Sequence, residues 1–485
     1  MEFSAFLPET IVVAGASILL LLSLIGYRNK KYVNGILAML IPIIAFIIIA
    51  FQAGSVSNLL FVQDGFAQFA RGLLSLISLP ILLSSFDMFS SDSKRQGEFL
   101  FLMLISLSGL MLLCQASSLM IVYLAIEISS IPLYMLAGFR VGSVRSKEAV
   151  VKYFLLGAFA SAVTIYGMSL VYSTTHTLAF SQLAQHISPT LPGLTGLPIE
   201  YAGLIFIFAG LFFKIAAFPF HFWAPDVYEG SPPISTAFIS VAPKIGVVVL
   251  MARFVGFAIP SALSTGVAWV VMSISAVTMT FGNITAIWQN NVKRIFAYSS
   301  IAQVGYILMG VAVIAIHPGT TIAKDGAIGI LMYLTAYALM NIAGFSIIKV
   351  VESRRGGSSL KNFAGLGKTN PALSIAMVVT LVSLLGIPWT AGFFGKLFVF
   401  KSAINASLYW LVILAVVNSA ISAFYYFGIV KYMYLKEPDE SIEQSGFSDV
   451  FSSLSSGICS VGTAVLIMVP GLIPLIEKAC RVFGD

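Results

Sequence analysis

The chain has 485 residues, of which 58% are hydrophobic and only 10% are charged, whereas soluble proteins average about 25% charged residues. This composition excludes long soluble domains and predicts an all-α integral membrane protein, because the lipid bilayer offers no water to satisfy an open backbone. The net charge of +7 does not indicate nucleic-acid binding, since the basic residues lie in short loops between apolar segments.

Fourteen apolar segments are predicted to cross the bilayer as helices. In chain order they span residues 7–26, 33–52, 66–86, 98–114, 118–139, 149–172, 201–219, 233–256, 264–286, 299–316, 326–349, 371–400, 407–431 and 449–474. The seventh is interrupted by Pro219 and then Pro225, and the twelfth by Pro388 and Gly392. Helices 7 and 12 are therefore predicted to be broken.

The distribution of Lys and Arg predicts the orientation. The odd-numbered loops and their helix flanks hold 18 of these residues, whereas the even-numbered loops, their flanks and the C-terminal tail hold 6. Basic residues accumulate on the cytoplasmic side of a membrane. We therefore expect a multi-pass protein of a bacterial inner membrane, with both termini on the outer, periplasmic side.

The two broken segments indicate an internal symmetry. Each contains a lysine, Lys214 in the seventh and Lys396 in the twelfth. They are five segments apart and so run in opposite directions, which predicts two inverted five-helix repeats, helices 4–8 and helices 9–13. The expected domains are residues 1–97 with helices 1–3, residues 98–256 and 257–435 with the two repeats, and residues 436–485 with helix 14.

Four charged residues lie inside apolar segments. They are Glu127 at the middle of the fifth, and Lys214, Lys244 and Lys396 in the seventh, eighth and twelfth. Each is costly in a bilayer unless it is paired, hydrated or neutral. Burial favours the neutral form of a lysine and a nearby carboxylate favours the charged form, so a lysine under both influences can exchange protons near neutral pH. A row of such groups linked by water is predicted to form a proton relay.

Two simpler interpretations of these charges remain. Lysines can extend to the membrane surface, but neither Lys214 nor Lys244 lies near a segment end. Alternatively the charges form salt bridges that fix helix packing, as a pair of Glu127 with one lysine would. That interpretation leaves two buried positive charges unexplained.

Polar residues near these positions could order water along the path, although most membrane serines bond only to their own helix. They are Ser129, Ser130, Ser240, Ser299, Ser300, Gln303 and Thr335. His221 follows Lys214 by seven residues and could either carry protons or cap a helix end.

No cofactor or metal site is predicted in this chain. The three cysteines form no CxxC pair, the four histidines lack metal-ligand spacing, and no Rossmann glycine pattern is present. Energy for proton pumping must therefore come through contact with another protein or from an ion gradient.

A family resemblance rests on four stretches. They are KYFLLGAFASA at 152–162, FKIAAFPFHFWAPDVYEGSP at 213–232, NVKRIFAYSSIAQVGY at 291–306 and GIPWTAGFFGKLFVF at 386–400. They resemble the antiporter-like membrane subunits of respiratory complex I, most strongly from the fifth span to the thirteenth. The variant WAPDVYEGSP is similar to subunit N, the counterpart of mitochondrial subunit 2, rather than to subunits L and M.

The resemblance implies roles for matching residues. Glu127 and Lys214 would form an ion pair between helices 5 and 7, Lys244 would be a central connecting lysine, and Lys396 would be the terminal lysine. The implied function is proton translocation within an NADH–quinone oxidoreductase. NADH, flavin and iron–sulfur clusters would then belong to partner subunits and quinone to the complex. The expected partners are M-like and K-like membrane subunits and a peripheral redox arm.

Two other functions stay open at this point. A subunit of a multi-subunit Mrp-type sodium/proton antiporter shares the fold and the lysines, although the DVYEG stretch favours the oxidoreductase. A purely structural membrane scaffold is the other alternative.

Overall fold

The computed structural model describes residues 3–25, 30–52, 56–89, 93–140, 142–187, 199–437 and 449–484. These residues are almost entirely helical. The α-helices are α1 (Leu7–Leu24), α2 (Lys30–Phe51), α3 (Gly65–Ser85), α4 (Ser93–Cys114), α5 (Leu119–Ala137), α6 (Val144–Thr175), α7 (Phe180–His186), α8 (Ile199–Lys214), α9 (Trp223–Gly230), α10 (Pro233–Phe257), α11 (Ser261–Ile287), α12 (Val292–Ile316), α13 (Thr321–Arg355), α14 (Leu366–Thr369), α15 (Pro371–Leu385), α16 (Ala391–Asn405), α17 (Tyr409–Leu435), α18 (Val450–Val465) and α19 (Leu472–Ala479).

Shorter elements complete the described chain. Two strands, β1 (Val56–Ser57) and β2 (Val62–Gln63), pair antiparallel between α2 and α3. Four 3₁₀ helices span Phe3–Phe6, Leu360–Phe363, Leu466–Met468 and Cys480–Phe483.

A helix lies at each of the fourteen predicted spans, and the all-α membrane fold is confirmed. Among the described residues, eleven helices are long and apolar enough to cross a bilayer. The twelfth span is divided into α15 and α16, whereas α8 ends within the seventh span and α9 lies beyond its predicted end. Pro219 and Pro388 lie in the breaks, but Pro225 and Gly392, also predicted to interrupt these helices, lie inside α9 and α16. The last span was predicted too long, because α18 ends at Val465 and the chain then turns through Pro470 and the left-handed Gly471.

Burial orders the helices from centre to rim. α10 is buried from Pro233 to Val255, and most residues of α12 and α13 are buried as well. The helices α1, α2, α6, α11 and α17 instead expose large apolar side chains such as Leu21, Phe159 and Phe424, which suits contact with lipid. The polar side chains of the three central helices are thereby kept away from the hydrocarbon.

Close backbone contact fixes α8 against α6. A Cβ atom on Gly167 would lie 2.6 Å from the carbonyl oxygen of Gly203, and one on Gly203 would lie 2.7 Å from that of Gly167. Small residues permit such contact in lipid, where helices associate by packing rather than by the hydrophobic effect. This contact packs α8, the helix that ends at Lys214, closely against α6.

Two buried ion pairs join α1 to α3 and the N-terminal cap of α3 to α10. Arg71 of α3 donates to both carboxylate oxygens of Glu9 at 2.8 Å. Arg253 of α10 donates to both oxygens of Asp64 at 2.8 and 2.9 Å. Arg71 and Arg253 are among the six basic residues assigned above to the even-numbered loops and flanks, but they are buried within helices, each beside a carboxylate partner.

Candidate functional site

Lys214 is held by hydroxyl groups of α5. Its Nζ donates to Ser130 Oγ at 2.9 Å and to Tyr134 Oη at 3.2 Å. Glu127 precedes Ser130 by about one helical turn and interacts electrostatically with Lys214. However, Glu127 Oε1 has no hydrogen-bond partner in the described part of the chain, and no ion-pair contact joins the two charges there. The direct pair implied by the resemblance is therefore not formed in this geometry.

The two broken helices end in the same way. At the end of α8, Ala216 is left-handed (φ 57°) and the Ala217 amide donates to the Phe212 carbonyl at 2.9 Å. At the end of α15, Gly386 is left-handed (φ 88°) and the next amide donates to the Val382 carbonyl at 3.2 Å. Both are Schellman ends. The two lysines lie on opposite sides of their breaks. Lys214 is the last residue of α8, before the first break, whereas Lys396 lies on α16, after the second.

A small cavity lies beside Lys214. Its volume of about 10 Å³ is lined by Ser130 of α5 and by Pro243 and Val247 of α10, among others. A space of this size holds about one water molecule. Lys244 follows Pro243 directly, so the cavity provides room for a water between Lys214 and the helix that carries Lys244.

Lys244 lies at the centre of the bundle and is 2% exposed. Its Nζ donates to Tyr337 Oη at 2.9 Å and to Ser300 Oγ. These two hydroxyls are 2.7 Å apart, and Tyr228 Oη lies 3.3 Å from Ser300 Oγ. No carboxylate contacts Lys244 within the described ranges, so its surroundings are neutral hydroxyl groups.

The side chain of Gln303 continues the polar set along α12. Its Nε2 donates to the Leu384 carbonyl and to Tyr426 Oη, both at 3.3 Å. Its Oε1 accepts from Tyr333 Oη. Ser299 Oγ lies 2.5 Å from Tyr426 Oη. Because Ser299 neighbours Ser300 in sequence, α12 carries both the contacts of Lys244 and the contacts that lead toward α15.

Lys396 belongs to α16 and is 5% exposed. Its ammonium group lies at the C-terminal end of α15. Its Nζ donates to the carbonyl oxygens of Leu385 at 2.8 Å and Leu384 at 3.1 Å, and to Ser419 Oγ at 2.8 Å. The helix break frees these carbonyls, and the negative end of the helix dipole favours a cation there. The freed backbone groups therefore face the lysine itself.

The chain matches one protein family and many individual proteins in sequence. The sequence model of the family described as "NADH:quinone oxidoreductase/Mrp antiporter, TM" matches residues 116–422, more than half of the chain and all four buried charges. A protein named NADH-quinone oxidoreductase subunit N from Rhodospirillum rubrum is 37% identical over 474 residues, covering 96% of this chain and 94% of that protein. The protein of the same name from Trichlorobacter lovleyi is 36% identical and covers 98% and 95%. The chain belongs to the NADH:quinone oxidoreductase/Mrp antiporter family, in its subunit N branch.

Solved structures of this family agree in fold. A chain of respiratory complex I from Thermus thermophilus with bound aureothin matches with a TM-score of 0.78 and 28% identity, covering 97% of this chain and 99% of that one. A chain of the Mrp complex from Dietzia sp. matches with a TM-score of 0.80 at 21% identity, covering 100% and 98%. Both chains therefore share the fold of this one.

The DVYEG stretch has a defined place in the structure. Asp226 accepts from Lys152 at 2.6 Å and from Arg294 at 2.9 Å. Glu229 pairs with Arg294 at 3.0 Å and with Arg145 at 3.4 Å. These pairs fix α9 between α6 and α12. The acidic residues of this cluster were missed as a group by the sequence analysis.

Tyrosines are the other group that sequence reasoning missed. They contact the lysines or Gln303 directly: Tyr134, Tyr333, Tyr337 and Tyr426. Their signal in the sequence is a tyrosine placed within an apolar span rather than at its end, where aromatic belts normally lie.

Six of the seven polar candidates from the sequence divide into two groups, and the seventh, Ser299, contacts Tyr426. Ser130, Ser300 and Gln303 contact the lysines or share their acceptors. The hydroxyls of Ser129, Ser240 and Thr335 bond to carbonyls of their own helices, as membrane serines and threonines commonly do.

His221 lies in the break between α8 and α9 and is 5% exposed. Its ring packs on Phe218 and Phe281, with centroids 5.5 and 4.5 Å away. Its Nδ1 has no hydrogen-bond partner among the described residues. The structure brings Lys244 and Lys396 close to a common polar set on α12 but leaves His221 outside it. In the same described ranges, no group of three or more His, Cys, Asp and Glu residues could hold a metal ion.

Proposed function

We propose that this chain is the proton-translocating subunit N of a respiratory NADH–quinone oxidoreductase. The observation that carries the proposal is the set of groups that surround the ammonium groups of Lys244 and Lys396. Both are buried and donate to neutral oxygens, and no carboxylate contacts either one in the described ranges. An ammonium so placed can release its proton without leaving a buried carboxylate unpaired, as an acid–base relay requires.

The proposed path follows the order of the contacts. Glu127 sets the charge near Lys214, and the adjoining cavity offers a place for a water toward Lys244. The path then continues through Ser300 and along α12 to Lys396. His221 takes no part in this version of the path, because its ring lies among aromatic side chains.

The same proposal includes the repeat organisation. Residues 98–256 and 257–435 form the two inverted repeats, and residues 1–97 and 436–485 are additions around them. The matching Schellman ends of α8 and α15 support this division. The unequal places of the two lysines mean that the repeats share a backbone break rather than a lysine position.

Partners and location complete the proposal. The relatives are named as subunits of NADH-quinone oxidoreductase, so NADH, flavin, iron–sulfur clusters and quinone would be handled by other parts of the complex. The neighbours would be M-like and K-like membrane subunits and a peripheral redox arm. The membrane would be a bacterial inner membrane, with both termini on the periplasmic side.

Copurification in mild detergent tests this function. We expect the full chain to copurify with iron–sulfur and NADH-oxidising proteins, and the membranes to take up protons when NADH is added. Copurification with sodium/proton antiporter subunits instead, together with no NADH-driven uptake, would assign the chain to the Mrp type. Normal proton uptake after loss of the buried lysines would favour a structural scaffold.

A further inference from the structure

Gln303 and Lys396 donate to the same acceptor. The Leu384 carbonyl oxygen lies 3.1 Å from Lys396 Nζ and 3.3 Å from Gln303 Nε2. A carbonyl oxygen has two lone pairs and can accept both bonds. Gln303 is 1% exposed, so bulk solvent does not reach these positions. The amide on α12 and the ammonium on α16 are thereby joined through the end of α15.

The chemistry of the acceptor fixes the orientation of this amide. A carbonyl oxygen can only accept, so the atom that faces Leu384 must be the nitrogen of Gln303. The amide oxygen then faces Tyr333, whose hydroxyl must donate to it. The second amide proton points to Tyr426 Oη, which therefore accepts.

Tyr426 also connects this amide to a second residue of α12. Tyr426 Oη lies 2.5 Å from Ser299 Oγ. Either hydroxyl can donate in this pair, because the tyrosine oxygen that accepts from Gln303 keeps a second lone pair. One amide therefore contacts the end of α15 and both tyrosines, between the contacts of Lys244 and those of Lys396.

We propose that Gln303 is a positioning residue for proton transfer between Lys244 and Lys396, acting through the Leu384 carbonyl and the hydroxyls of Tyr333 and Tyr426. The inference rests on the relay proposed above. The amide of Gln303 is not ionisable, so its hydrogen bonds do not depend on whether Lys396 is protonated. It keeps the end of α15 and both tyrosines in place while the lysine loses and regains its proton.

The first test is Gln303→Met in the assembled complex. Methionine has a similar length but can form none of the three amide bonds. We expect normal complex content on a native gel and NADH-driven proton uptake reduced roughly tenfold or more, since positioned proton transfer contributes about 10²-fold or more. Normal uptake would overturn the inference. The matched control is Gln182→Met on α7, away from the lysines, which should pump normally.

A second variant separates positioning from packing through pH. The acid introduced by Gln303→Glu can donate to the Leu384 carbonyl when it is protonated but not when it is ionised. Its proton uptake relative to the unsubstituted complex should therefore rise as the pH is lowered. A pH-independent ratio would contradict the inference, because a residue that only fills space has no reason to respond to its own ionisation.

Lys396→Met in the same membranes distinguishes two failures. If it pumps normally, the relay itself is wrong. If it loses pumping while Gln303→Met pumps normally, the relay stands and only the role of Gln303 is wrong.

Discussion

Lys396 on α16 donates to the Leu385 carbonyl oxygen at 2.8 Å, so the ammonium of one half-helix closes the C-terminal end of the other. The helix dipole stabilises the charged form there, and loss of the proton leaves only neutral groups behind. The Arg253–Asp64 pair is different, because removal of either charge would leave the other buried alone.

Lys396 is expected to act by exchanging its proton. Lys396→Arg keeps the charge, but a guanidinium remains protonated because its pKa stays above about 12. Lys396→Met removes the charge as well. Both variants should assemble and lose roughly 10²-fold of NADH-driven proton uptake in vesicles. Lys401→Met, an exposed position on the same helix, is the control; normal pumping by Lys396→Arg would refute the exchange.

Gly386 is expected to control the position of Lys396. A Cβ atom at this residue would lie 2.9 Å from Lys396 Cδ, and its φ is 88°. Gly386→Ala should therefore displace the lysine and also cost about 1–2 kcal/mol of stability for the left-handed backbone. Gly356→Ala carries the same backbone cost at φ 71° but meets nothing within 4 Å. Proton uptake should fall only in the first variant, and equal uptake in both would contradict a role in positioning.

Glu127→Gln is expected to leave assembly intact. Lys214 is held by the hydroxyls of Ser130 and Tyr134, so the usual penalty of about 3–5 kcal/mol for breaking a buried ion pair does not apply in full. Proton uptake should nevertheless fall, because the negative charge near Lys214 is lost. A native gel and a vesicle assay separate these effects. Loss of the complex that Lys214→Met then restores would instead indicate a structural ion pair.

Two acidic residues should differ in their effect on stability. Asp64 pairs with Arg253 with both side chains under 10% exposed, and it also caps α3 through the Ala67 amide. Asp64→Asn should destabilise the protein by about 3–5 kcal/mol. Asp226 pairs with Lys152 and Arg294, and its side chain is about one-third exposed. Asp226→Asn should therefore reduce the free energy of unfolding by about 1 kcal/mol or less. Thermal unfolding in detergent compares them, and equal losses would contradict this ranking.

Reporter fusions test the orientation. A reporter active only in the cytoplasm should be active after residue 360, in the loop that follows α13, and silent after Asp485. The expectation follows from the excess of basic residues in the odd loops. The reverse pattern would place both termini in the cytoplasm.

The sequence by itself determined the helices and the buried charges. Hydropathy is a local property, so the spans and the lysines inside them can be read directly along the chain. The breaks in helices 7 and 12 were also predictable, since proline and glycine act on the adjacent backbone. The end of α18 was misjudged because the apolar run continues past the helix.

Only the tertiary structure decided what each charge contacts. Opposite charges in apolar helices suggest a direct pair, yet Lys214 bonds to two hydroxyls and Glu127 does not contact it. Lys244 bonds to Tyr337 on another helix, and Lys396 bonds to Ser419 on α17 and to two backbone carbonyls at the end of α15. Neutral oxygens occur in every helix and carry no hydropathy signal. Helix packing, which depends on all side chains together, selects the few that meet an ammonium.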